Sequence, residues 1–402
     1  MTQPDYDIIT VGGGLAGAAL SASMAAAGAL VLIIERETEF QDRVRGEWLA
    51  PWGVSEVRQL GLMNVLNRAG AHPVPNMQNR SGKPRRTESP GGDVPITFFH
   101  PDAQEALLVE AARRGADVIR GEKVLDIRRG AVPEVSLSGD GGRHELSARL
   151  VVGADGRASL ARKATGQEHH IHRSPRLLAG VRIGNLRGSD ETADFIIRED
   201  ATGLASIFPQ GNGYARAYVF LDGATASTFN RDGGFERFIQ ASIESGIPAE
   251  RIQNAIQAGP LAAFVAGDSW VESAYSRGIA LIGDAAGMSD PTWGMGMSLA
   301  FRDARTLREA LLADDYWPQA GIAYADAHRA HFQAVMTVED WQTELLLTPG
   351  SVAQQRRRRA ARLWSQDGAR MPDLPGVGPD LDTSDRARDR FFGEDLPEEK
   401  AA

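Results

Sequence analysis

The sequence predicts an α/β protein, a doubly wound parallel sheet interrupted by an inserted antiparallel one, and three observations lead there. Two short apolar runs, Tyr6–Val11 and Leu30–Ile34, flank a helix-length apolar stretch, Leu15–Ala27, as strands buried on both faces would. Gly12, Gly14 and Gly17 stand at the first junction. Further along, the segments 177–183, 193–197, 203–208 and 214–221 alternate in strand fashion, with Gly211-Asn212-Gly213 as a hairpin turn. Arg149–Val152 and Gly278–Ile282 read as two more strands of the parallel sheet. The stretch from about 366 is rich in Pro, Gly and acids, ends in Glu398-Glu399-Lys400, and is expected to be an irregular tail docked by Phe391-Phe392.

Composition narrows the chemistry. The 402 residues contain no Cys, which excludes disulfides, thiolate-ligated metals, iron–sulfur clusters and a cysteine nucleophile. A formal charge of −9 argues against a nucleic-acid or anionic-membrane surface. The uncharged run from Ile8 to Ile34 is long enough to span a bilayer, but it follows Asp5 and Asp7 rather than basic residues, and Gly12, Gly13 and Gly14 interrupt it. A cytoplasmic protein with no membrane partner is expected.

The glycines carry the first chemical signal. Gly12, Gly14 and Gly17 form G-x-G-x-x-G between a strand and a helix, and Glu35 ends the second strand twenty-one residues after Gly14. That is the Rossmann-like dinucleotide fingerprint in its context: a tight turn, close backbone approach to a pyrophosphate at a helix N-terminus, and an acid for ribose hydroxyls. Leu15, Ala16 and Arg36 belong to the same expected contact set. Glu35 would repel a 2′-phosphate, leaving FAD or NAD for this site.

Two later motifs decide between them. One strand enters Gly153-Ala154-Asp155-Gly156-Arg157, and another enters Gly283-Asp284-Ala285-Ala286, followed by Asp290-Pro291 and Gly294-Met295-Gly296-Met297 opening a helix. This order resembles the FAD-dependent monooxygenases of the para-hydroxybenzoate hydroxylase-like fold. The resemblance implies non-covalently bound FAD, with the ribityl chain on Asp284 and the pyrimidine end on Gly294, Gly296 and Met297. It also implies contacts from Arg45, Gln104 and Asp155. His100 stands where the family's helix usually opens with Arg. The implied reaction inserts one oxygen of O2 into an apolar aromatic or polyene-like small molecule through a flavin hydroperoxide, with NADH or NADPH, or a separate flavin reductase, supplying electrons.

The expected organisation is a discontinuous FAD-binding domain (1–70, 100–165, 275–345), a substrate domain (71–99, 166–274) and a C-terminal segment (346–402), as a monomer or homodimer. Trp48, Phe208, Tyr218, Pro291 and Trp293 are expected to line the substrate pocket. The chemistry is expected to be centred on the flavin, and Arg216 and Trp293 are the candidate catalytic side chains. A flavin-dependent halogenase is a rival through Gly46-Glu47 and the position of Pro51, although its Trp-x-Trp-x-Ile-Pro signature is absent. A prenyl-type flavin reductase and a non-enzymatic carrier or chaperone are the others. No metal site is expected: strand alternation puts only His170 and His172 of the Glu168–His172 cluster on one face, with no partner nearby in sequence. Asp326, His328 and His331 read as one amphipathic helix face, and Arg356–Arg359 as a helix surface paired with acids.

Overall fold

Strands β1 (Tyr6–Val11) and β2 (Val31–Glu35) are apolar at consecutive positions because the structure, a computed structural model, buries them inside a parallel sheet. It describes residues 3–80, 82–139, 142–221 and 227–396, so the acidic Glu398-Glu399-Lys400 ending lies outside the described residues. The chain divides into two units: Met1–Pro73, Asp93–Ser174 and Gly267–Phe332 form the first; Val74–Gly92, Pro175–Ala266 and Gln333–Ala402 form the second.

In the first unit, β3 (Asp117–Arg120), β4 (Gly142–Gly153) and β5 (Ile279–Leu281) complete a parallel sheet of order β3-β2-β1-β4-β5. Its core is Ile8, Ile9, Leu32, Ile33, Leu150, Val151 and Leu281. Helix α1 (Leu15–Ala26) links β1 to β2 and is buried almost all round, which explains its lack of charge. Among the described residues no helix is long and apolar enough to cross a membrane. Helices α2 (Pro51–Gln59), α3 (His100–Arg113), α4 (Leu160–Thr165), α5 (Gly296–Ala313) and α6 (Trp317–Leu346) follow along the chain. Both α3 and α5 pack on α1.

The sequence offered the histidines of the Glu168–His172 cluster no partner, and that premise is corrected. The strand Ala262–Val271 and the residue after it bring Asp268 and Glu272 to the start of the strand His169–Gly184. His170 Nε2 lies 3.2 Å from Glu272 Oε1 and its ring stacks on Trp270, while His172 Nδ1 lies 3.5 Å from Asp268 Oδ2. These partners are about a hundred residues away in sequence, beyond the reach of a local pattern.

The second unit holds the antiparallel sheet. Leu177–Ile183 pairs with Tyr214–Leu221, which pairs with Leu204–Gly211, which pairs with Thr192–Ile197. Asn212 and Gly213 both take positive φ (53° and 77°), the requirement of a two-residue type I′ turn. Ala215, Ala217 and Val219 pack with Val181, Ile207 and the helix residue Phe238. Alternation sends Arg216 and Tyr218 to the other face, where Phe208 lies opposite Arg216 and 6.2 Å from the Tyr218 ring. All three are buried. The C-terminal segment is more ordered than predicted: Phe391 and Phe392 end a helix, Asp385–Phe392, and are fully buried, with Trp364 stacked on Phe391. Arg356 pairs with Glu344 and Glu394, in line with the surface-pairing expectation.

A buried ion pair ties this unit together. Arg251 donates to Asp194 Oδ2 (2.5 Å) and to the carbonyls of Thr192 and Arg187, and Gln78 also donates to Asp194. Asp194→Ala strands that guanidinium and is expected to cost about 3–5 kcal/mol. Removing the exposed Arg80–Glu199 pair is expected to cost less than about 1 kcal/mol. Denaturant unfolding of the two variants measures the difference.

Candidate functional site

The carboxyl edge of the parallel sheet collects the residues of the first unit that the sequence singled out. Gly12 (φ 102°) turns the chain out of β1, and a Cβ there would lie 2.5 Å from the Ala154 carbonyl oxygen. A Cβ at Gly17 would lie 2.1 Å from the Gly12 carbonyl oxygen, so α1 sits against the strand as only glycine allows. Gly14 is different. Its φ of −67° and ψ of −175° suit any residue, and a Cβ would meet only Gln104 Nε2 at an ordinary 3.6 Å. Nothing in the protein requires glycine there, whereas a ligand backed onto the start of α1 would. The first turn of α1 leaves the N–H groups of Leu15, Ala16 and Gly17 without intrahelical acceptors. Gly296 at the start of α5 is likewise unobstructed, with nothing within 4 Å of its would-be Cβ.

Carboxylates flank these helix ends. Glu35, buried, accepts from Gly13 N (2.7 Å) and Glu37 N (2.9 Å), which fixes it under the glycine turn. Arg36 points outward and pairs with Glu37. Asp284 lies 3.5 Å from Arg45 Nη1 and 3.6 Å from Arg157 Nε. Burial pushes the Arg45 guanidinium below its ordinary pKa, against the opposing charge of Asp284. Asp155 is engaged otherwise: it accepts from Ser159 Oγ (2.5 Å) and from Leu160 N (2.6 Å), so its carboxylate caps α4.

The segments around Arg45 and Gly294 face each other. A Cβ at Gly46 would be 3.9 Å from Met297 Cε, and one at Gly294 would be 3.4 Å from the Trp48 ring. Trp48 and Trp293 are buried, and Pro291, two residues before Trp293, is half-buried. Phe208, Arg216 and Tyr218 belong to the second unit.

Sequence reasoning missed the part played by Arg162. Its buried guanidinium donates to the carbonyls of Asp284 (3.2 Å), Ala285 (3.2 Å) and Arg157, clamping the Asp-Gly turn to the Gly-Asp turn. Burial lowers its pKa while Asp155 and Asp284 oppose that shift. Glu47 was also missed. It accepts from His100 N (2.9 Å) at the start of α3, while His100 Nδ1 lies 2.9 Å from the Gly46 carbonyl oxygen, so His100 braces the Arg45 segment. The His328 and His331 rings depart from the amphipathic-face expectation by turning inward onto Asp303, which lies on another helix; Asp326 stays exposed and pairs with Arg329. Asp303, His328 and His331 have metal-ligand chemistry, yet both nitrogens are within 2.9 Å of one carboxylate oxygen and satisfy each other as hydrogen bonds.

Together these residues fit FAD. The glycine turn and the α1 N-terminus suit a pyrophosphate, Glu35 a ribose, Asp284 the polyol and the α5 N-terminus the electron-rich edge of the ring. Gly14→Ala is expected to leave stability within about 1 kcal/mol, because its backbone accepts alanine, but to weaken FAD binding by tenfold or more, roughly 1.4 kcal/mol. Gly17→Ala is expected to lower the unfolding temperature of the protein itself. Asp284→Ala is expected to weaken FAD by about 1.5–3 kcal/mol. FAD titration and thermal melting of the three variants give both readings.

Comparison with known proteins agrees. The FAD binding domain family matches residues 5–335. Digeranylgeranylglycerophospholipid reductase 2 of Methanothermobacter thermautotrophicus is 28% identical over 321 residues, 76% of this chain and 77% of that protein. The 6-methylpretetramide 4-monooxygenase of Streptomyces rimosus is 26% identical over 397 residues, 90% of each chain. The crystal structure of p-nitrophenol 4-monooxygenase from Pseudomonas putida has the same fold, with a TM-score of 0.77 at 17% identity over 90% of this chain and 94% of that one. With a glycine cradle on the sheet edge and a family match over most of its length, the chain belongs to the FAD binding domain family, as an FAD-dependent oxidoreductase of the para-hydroxybenzoate hydroxylase-like monooxygenases.

Proposed function

We propose that this protein inserts one atom of O2 into an apolar aromatic or polyene-like small molecule, with NADH or NADPH as the source of electrons. The observation that carries the reading is the flavin cradle joined to an end-to-end similarity with a monooxygenase, 90% of both chains. Bound FAD supplies the redox and oxygen chemistry. The chain's residues supply placement: the α1 and α5 N-termini orient the cofactor, and the Arg162 clamp keeps the turn bearing Asp284 in register with the turn before α4. Buried Trp48 and Trp293 support an apolar wall that excludes water beside the ring-binding end of this unit.

Reduction of an isoprenoid chain is the second reading, supported by the 28% identity to a geranylgeranyl-lipid reductase. The two readings separate cleanly. Monooxygenation consumes O2 and pyridine nucleotide together and raises the product mass by one oxygen, whereas reduction proceeds without O2 and adds two hydrogens. Incubation of the holoenzyme with a panel of phenols, polyketide aromatics and prenyl lipids, followed by oxygen electrode and mass spectrometry, is expected to give the first pattern. Turnover of a prenyl lipid under anaerobic conditions would replace it with the second. Trp293→Ala is expected to retain FAD while releasing more hydrogen peroxide per pyridine nucleotide oxidised; if the ring is only core, melting falls by the equivalent of about 3–5 kcal/mol with coupling unchanged.

A further inference from the structure

The turn that carries Asp284 is held from behind by a buried cluster outside the set of cofactor-contacting residues. Gly283 opens the turn at φ 58° and gives its N–H to Asp303 Oδ2 at 2.8 Å. Asp303 lies on α5, two turns beyond Gly296, so the helix that addresses the ring end also anchors the polyol end. The other oxygen, Oδ1, is shared by His328 Nδ1 (2.8 Å) and His331 Nε2 (2.9 Å), both from α6. The same helix fixes the strand leading into the turn, because the Tyr324 hydroxyl donates to the Leu281 carbonyl oxygen at 2.6 Å. Asp303, His328, His331 and Tyr324 are all buried. The turn therefore hangs between Arg162, which takes its carbonyls, and Asp303, which takes its N–H.

We propose that Asp303, His328 and His331 are positioning residues for FAD, a hydrogen-bonded mount that sets the place of Asp284 and makes cofactor affinity depend on the protonation of the buried His331. The carboxylate oxygens can receive all three N–H groups with both imidazoles neutral, provided His328 carries its proton on Nδ1 and His331 on Nε2. A second proton on His331 adds an N–H on its far nitrogen, in a space built of side chains: the His331 ring meets His328 edge-on at 5.3 Å, and His328 is stacked on Phe332 at 5.5 Å. That proton needs an acceptor or water, and admitting either disturbs the packing that holds Asp303. The other ionisable groups bearing on the cluster are Arg302 of α5, whose charge opposes protonation of His331, and Tyr324, whose ionisation the Asp303 charge opposes.

The sign follows from burial. His331 is held below the ordinary imidazole range by desolvation, and Asp303 well below the usual carboxylate range by its two imidazole partners, against the cost of its own burial. The carboxylate thus stays ionised, the mount is intact above the ordinary imidazole range, and it weakens as the pH falls through the lowered value of His331.

Serial dilution of the holoenzyme, with released FAD read by its fluorescence, tests this. Along a series from pH 8 down to the lowest pH at which the protein stays folded, the wild type is expected to bind FAD about tenfold more weakly at the acid end than near pH 8. His328→Asn and His331→Gln together keep an N–H aimed at Asp303 that cannot gain a further proton, and are expected to bring that ratio close to one. Asp303→Asn offers one oxygen where three N–H groups need acceptors, and is expected to weaken FAD about tenfold near pH 8. A purely structural role would lower the melting temperature of the double variant and leave its pH ratio equal to that of the wild type, which overturns the proposal. If the double variant does not fold, His331→Gln alone gives the same comparison, with the same two outcomes.

Discussion

The contact of α1 with the sheet is the constraint on which the rest depends. The helix approaches β1 so closely that any side chain at Gly17 would collide with the Gly12 carbonyl, and this closeness puts the N-terminus of α1 at the carboxyl edge of the strands. The fully apolar helix surface follows from the same geometry, since α3 and α5 pack against the faces that the sheet does not cover. Once α1 is fixed, Glu35 at the end of the neighbouring strand can reach Gly13 N, and Gln104 of α3 can stand across from Gly14. The later motifs then arrive at the same edge on β4 and β5, which flank β1 on its other side.

This dependence explains what was legible in the sequence. Strands such as Tyr6–Val11 and Tyr214–Leu221 are local patterns of burial, and both stand where periodicity put them. The glycine, Asp-Gly and Gly-Asp motifs are legible for a related reason: each is a backbone turn that few residues can make, so the residue type reports the geometry. Long-range partnerships were not legible. Asp303 reads as one acid on an ordinary helix and His328 and His331 as part of one amphipathic helix face with Asp326, because the packing of α5 on α6 that joins them leaves no local mark. Glu272 and Asp268 opposite His170 and His172 escaped for the same reason. The stretch from about 366 was read as irregular from its Pro, Gly and acid content, yet Phe391 and Phe392, packed against Trp364 of the preceding helix, supply apolar area that helps to fold it.

The charge balance at the sheet edge carries the argument from fold to cofactor. A chain of formal charge −9 has to receive a pyrophosphate, and carboxylates of the site stand within the same edge. Two of them are already spoken for by backbone: Glu35 by Gly13 N and Glu37 N, Asp155 by Leu160 N and the Ser159 hydroxyl. Asp284 faces two guanidiniums, Arg45 and Arg157. The three carboxylates are matched by the guanidiniums of Arg45, Arg157 and Arg162, so the side-chain charge of the edge balances, and the helix N–H groups of α1 and α5 add a partial positive field to it. Burial of Arg162 strengthens that field, because its guanidinium loses hydration that would otherwise screen it. The donors that suit a dianionic, hydroxyl-rich cofactor are held in place by the close packing of glycine on strand with which the fold begins.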